Sequence, residues 1–113
     1  MRPVYLAMGW GLVAVIIWAS VTHNPPQISV EHGDKVGHLL AYAGVMFWFS
    51  QLYLHTRTRL AYAAGFIALG IALEFVQRAL GYRSFEVLDM VADALGVLGG
   101  WAIAASLPRF LKE

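Results

Sequence analysis

LAYAAGFIALGIALEFVQ, residues 60–77, decides how the chain is read: 14 residues from Leu60 to Leu73 carry no Asp, Glu, Lys or Arg, and Glu74 and Gln77 follow at once. A helix crossing a bilayer needs about 20 mostly apolar residues at 1.5 Å rise each. This stretch reaches that length only if the glutamate lies inside the end of the span. Residues 94–108 pose the same problem, because 15 residues free of those charges follow Glu86, Asp89 and Asp93. Two other stretches qualify without help, the 28 residues from Pro3 to Val30 and the 21 from Val36 to Thr56.

Composition supports this reading. Of 113 residues, 59% are AVILMFWYC and 13% are charged, with a mean hydropathy of +0.62. A chain this short has a large surface fraction, and so apolar a surface needs lipid to cover it. Eight Lys and Arg against seven Asp and Glu leave a net charge of +1, which offers no basic field for a nucleic acid. With no cysteine, disulfides, thiolate metal sites and a cysteine nucleophile are excluded.

The expected fold is an all-α integral membrane protein, a single domain over residues 1–113 built as a bundle of four transmembrane helices. The spans are about 4–21, 36–54, 60–77 and 86–107. Asn24-Pro25-Pro26 ends the first, since proline lacks the donor and clashes with the preceding turn. Gly33-Asp34 offers a turn and an N-cap, residues 55–59 (HTRTR) a polar corner, and Gly81 a C-cap before Arg83 and Ser84. The N-terminal run is longer than the usual apolar region of a signal peptide, about 7 to 15 residues, and is read as a span. An even number of spans puts Arg2, Arg57, Arg59, Arg109 and Lys112 on one side and Lys35, Arg78 and Arg83 on the other. The bias of Lys and Arg toward cytoplasmic loops then predicts both termini in the cytoplasm.

This threading gathers the acids at the outer end. Asp34, His38 and Tyr42 are spaced along one face of the second helix, Glu74, Gln77 and Arg78 share a face of the third, and Glu86, Asp89 and Asp93 share one on the fourth. Carboxylates at membrane depth are costly, about 2.5 to 3.5 kcal/mol for Asp at a helix centre, so Glu74 and Asp93 are expected to face inward with partners. One outcome is a clamp in which Arg78, Arg83 and Lys35 neutralise the acids. The other is an outward-facing pocket, which is the expectation because ionisable groups at this depth mark function. Ala61, Gly65, Ala68 and Ala72, and on the fourth helix Gly96 and Gly100, read as close-packing surfaces. The aromatics, Trp10, Trp18, Trp48 and Trp101 among them, read as interfacial belt and lipid-facing bulk.

These segments resemble the VanZ-like membrane family: Asp34-Lys35-Val36-Gly37-His38 with Tyr42, Glu74-Phe75-Val76-Gln77, and Arg83-Ser84 leading to Asp89, then Asp93 and the Gly-rich last helix. The likeness runs over about residues 24–107, and departs from the family's more frequent Asn at Asp93. It implies a bacterial inner-membrane protein with a role in the cell envelope or in low-level resistance to the glycopeptide antibiotic teicoplanin. The ligand-binding set is then Asp34, Lys35, His38, Tyr42, Glu74, Gln77, Arg83, Ser84, Asp89 and Asp93. Its partners would be a membrane lipid, a lipid-linked wall precursor or the antibiotic itself, with Arg83 and Lys35 holding an anionic group. The alternative is a small membrane enzyme on a lipid-linked substrate, with His38 or Glu74 as general acid or base, Asp89 beside them and Arg83 steadying negative charge. Ser84 reads as a cap rather than a nucleophile. No cofactor or metal is expected: His38, Glu74, Asp89 and Asp93 could ligate a divalent ion, but a hydrogen-bonded charge network is the favoured reading. Proton or ion transport is disfavoured because no acid continues the path toward the other end.

Overall fold

The computed structural model describes residues 2–21, 33–80 and 87–108, with the backbone alone for residues 2 and 33–35. They form four helices in chain order: α1 (Arg2–Val21), α2 (Gly33–Leu52), α3 (Thr56–Leu80) and α4 (Val87–Ser106). Three of these, α1, α3 and α4, are long and apolar enough to cross a membrane. For α3 and α4 this agrees with the expectation that they reach spanning length with their acids included, whereas in α2, expected to qualify without help, the apolar run is shorter, Val36–Leu52. The charge-free stretch runs past the helix: Tyr53, Leu54 and His55 lie beyond the end of α2, and Thr56 begins α3.

The distribution of polarity is inverted relative to a water-soluble domain. Val15, Leu40, Leu60, Leu88, Leu95 and Ile103 are all more than half exposed, whereas Ser20, Ser50, Gln51, Glu74, Gln77, Asp89 and Asp93 are buried. In water that arrangement would forfeit apolar burial and also desolvate charge. In hydrocarbon it is the arrangement that satisfies both.

Helices α2 and α4 run parallel and make the most extensive contact of any pair. Gly96 lies against the backbone of Leu39 and Ala43, and Gly100 one turn further on against that of Ala43, so the absent side chains let the two backbones meet. This is the close packing expected of those glycines. The Ala61, Gly65, Ala68 and Ala72 stripe does not behave that way: all four are exposed, and α3 instead buries Ala63, Phe66, Gly70, Leu73, Glu74 and Gln77. Helix α1 packs antiparallel to α2, with Trp48 donating to the Tyr5 carbonyl at 2.7 Å and Gly9 against the rings of Trp48 and Phe49. Trp48, Tyr53, Tyr62 and Trp101 are thus partly buried against the core rather than wholly lipid-facing. Trp10 and Trp18 are about half exposed, 51% and 54%.

The HTRTR corner is shorter than expected. Helix α3 already starts at Thr56, with the His55 ring accepting the Arg57 N–H at 3.3 Å. Arg59, one turn into α3, reaches back to the end of α2, donating to the carbonyls of Ser50 (2.6 Å) and Tyr53 (2.9 Å). Ser50 is in the last turn of α2, where helix carbonyls lack a donor from within the helix, and Tyr53 follows just past its end, which explains why the arginine is recruited. Arg59→Ala is expected to lower stability by about 1 to 3 kcal/mol, and Arg59→Lys to recover part of it, since a single ammonium cannot match the fork. Unfolding of the two variants in detergent provides the check. At the other end of the same hairpin, Gly33 and Asp34 lie inside α2 rather than before it, so the expected N-cap is displaced by a residue or two. The Pro25-Pro26 break, the Gly81 cap and the start at Ser84 lie outside the described residues.

Candidate functional site

The end of the bundle where α1 and α3 finish and α2 and α4 begin collects the polar side chains. Two turns of α4 carry Asp89 and Asp93, α3 supplies Glu74 and Gln77 within its last two turns, and α2 supplies His38 and Tyr42. Asp93, Glu74 and Gln77 are 1 to 2% exposed, and Asp89 is 6% exposed.

Its centre is an imidazole–carboxylate pair. His38 Nδ1 lies 2.7 Å from Asp93 Oδ1, the ring N–H donating to the carboxylate. The Tyr42 ring stacks beside the imidazole at 6.5 Å between centroids, and Glu74 and Asp89 lie close enough to act on the ring electrostatically. The imidazole side chain is 18% exposed and the Asp93 side chain 2%, so the cluster is reached along the histidine. Fixing Nδ1 on a carboxylate leaves Nε2 to meet a ligand.

Two contacts were not anticipated from the sequence. Gln77 donates to the Ser20 carbonyl at 2.9 Å, tying α1 into the site. Gly70 lies against the Asp93 side chain, and a Cβ there would overlap its carboxylate oxygen and meet its Cβ and Cγ at 3.0 Å. Gly70 sits one turn before Glu74 on the same face, a spacing that marks it, whereas the more regular Ala61–Ala72 stripe lies on the exposed side of α3. Gly70→Ala is expected to push the carboxylate off His38 and to cost about 1 to 3 kcal/mol. A change in the His38 ring resonances with the helices retained would register it.

Of the expected site residues, His38, Tyr42, Glu74, Gln77, Asp89 and Asp93 are brought together. Arg78, one turn beyond Glu74 on α3, is exposed. The side chains of Asp34 and Lys35, and all of Arg83, Ser84 and Glu86, lie outside the described residues. Among the described residues, no three His, Asp or Glu converge closely enough to hold a metal ion.

No family model matches the chain, and no solved structure matches it. It is similar to an uncharacterized protein of the fission yeast Schizosaccharomyces pombe, 30% identical over 87 residues, which cover 74% of this chain and 54% of the relative. The chain therefore spans about half the length of that relative. A counterpart in a eukaryote overturns the bacterial inner-membrane location expected above, which rested on the family likeness alone. The apolar helices support a membrane, not a bacterial one.

Proposed function

We propose that this is an integral membrane protein whose four helices span the bilayer with both termini on the cytoplasmic side, and that its polar cluster binds the headgroup of a membrane lipid. The observation that carries the reading is the burial of Glu74, Asp89 and Asp93 around a partly exposed His38 at one end of helices whose outer faces are aliphatic. Ionisable groups kept at that depth are functional by default. The excess of Arg and Lys at the opposite end supports the orientation. The motif segments remain the basis of the likeness to the VanZ-like family. Wall precursors and teicoplanin presupposed a bacterial envelope, so a lipid headgroup is the ligand class carried forward.

In this reading His38 Nε2 meets an oxygen of the headgroup, Glu74 and Asp89 accept from its hydroxyl or amine groups, and Lys35 and Arg83 balance its phosphate. Lipids that co-purify with the wild type should be enriched in one headgroup class, and Glu74→Gln should lose that enrichment by mass spectrometry. Identical lipid profiles would remove the pocket. Orientation has its own check, since the chain contains no cysteine: a cysteine at Gly81 should react with an impermeant thiol reagent in intact cells and one at His55 should not.

A second reading is favoured by the 2.7 Å His38–Asp93 pair, because a carboxylate that orients an imidazole is also the arrangement of a general base. It predicts turnover of a lipid by purified protein and its loss in His38→Gln. Saturable binding without product supports the headgroup site.

A further inference from the structure

A groove of about 570 Å³ runs between α1 and α3, with Trp10, Val13 and Ile17 on one wall and Gly65, Phe66 and Leu69 on the other. We infer that it holds the hydrocarbon chain of a membrane lipid. This rests on the membrane-spanning reading above, but not on the ligand of the polar cluster.

The groove is bounded at both ends. The rings of Trp10 and Tyr62 meet across it at 6.3 Å between centroids, and Gln77 ties α3 to the Ser20 carbonyl beyond it. Its wall on α3 runs from Ala61 to Leu69, about 12 Å at 1.5 Å per residue. A helix of a second copy is about 10 to 12 Å across with its side chains and crosses about 30 Å of hydrocarbon, so it would ride over both ties without entering. A flexible chain enters from the side. Left empty, the lining would forfeit its dispersion contacts on one side. The lining is otherwise apolar, with the polar atoms of Trp10 and Tyr62 as its only side-chain partners for water, which favours hydrocarbon over an aqueous filling.

The occupant's chemistry is also set by what stands next along the same helices. Ile17 is one turn from Ser20, and Leu69 precedes the Gly70 that touches Asp93. The polar end of the bundle thus stands just beyond the Ser20–Gln77 end of the groove, which is the polarity order of a lipid lying along α1 and α3.

Gly65 gives the test, because the position of a Cβ there has nothing within 4 Å. Gly65→Leu starts from that open Cβ position, projects its isobutyl group into the groove and raises helix propensity. Wild type, Trp10→Phe and Gly65→Leu are reconstituted in phosphatidylcholine vesicles whose acyl chains are brominated. The emission lost on replacing Trp10 should be strongly quenched in the wild type, and that quenching should fall several-fold in Gly65→Leu. Equal quenching in the two would mean that bulk lipid merely brushes Trp10, which overturns the proposal. So would disulfide dimers of Gly65→Cys in the same vesicles, since a second copy would then occupy the groove. Protein that fails to enter the vesicles would overturn the membrane reading itself, and is told apart by flotation.

Discussion

Gly100→Leu is expected to separate α2 from α4 and to leave no cooperative unfolding transition, the largest effect of any single change in the chain. At this position a Cβ overlaps the Ala43 carbonyl oxygen and lies 3.0 Å from its carbonyl carbon and Cα. Backbone cannot swing aside as a side chain does, so even Gly100→Ala should exceed the usual overpacking cost of about 1 to 3 kcal/mol. Gly99 is the control: its Cβ position is open, and Gly99→Leu should stay within about 0.5 kcal/mol of the wild type. Detergent unfolding followed by helicity gives the comparison. Equal effects at the two glycines would mean that the close contact of α2 with α4 is not made.

The second large effect belongs to Asp93. Asp93→Ala removes the buried acceptor of the part-buried His38 imidazole and should cost about 1 to 3 kcal/mol, the range for leaving a hydrogen-bond partner unsatisfied. Asp93→Asn keeps an acceptor within reach of His38 Nδ1 and should cost only about 1 kcal/mol. The double variant His38→Ala with Asp93→Ala should show a coupling of about 0.5 to 3 kcal/mol. Strict additivity would separate the two side chains.

These two sites differ in how far the sequence disclosed them. Asp93 stood out because a carboxylate inside an apolar run has one place to go, and its burial at 1% exposure follows from that cost. Gly96 and Gly100 were legible because they continue the face of Asp89 and Asp93. The interior of α3 was not legible from its small residues. Lipid is as apolar as a protein core, so a stripe such as Ala61, Gly65, Ala68 and Ala72 fits either, and only the polar Glu74 and Gln77 distinguish the inner face. The same ambiguity hid Gly70. At the other end Arg57 and Arg59 looked like loop residues because they are charged, yet Arg59 sits inside α3 and serves the carbonyls of α2, a tertiary contact that no local pattern encodes. The parallel pairing of α2 with α4 was likewise beyond reach, since an up-and-down order of four spans permits several neighbour arrangements.

A lipid headgroup site and an internal clamp make different demands on the cluster around His38. The ring resonances of His38 measured by NMR in detergent, during titration with short-chain lipids of defined headgroup, separate the two most directly. A binding site predicts a saturable shift of Nε2 for one headgroup class, absent in Glu74→Gln, with the Nδ1–Asp93 hydrogen bond preserved throughout. A clamp predicts that no headgroup moves the His38 ring in a protein whose helices remain folded, and that result would contradict the headgroup site.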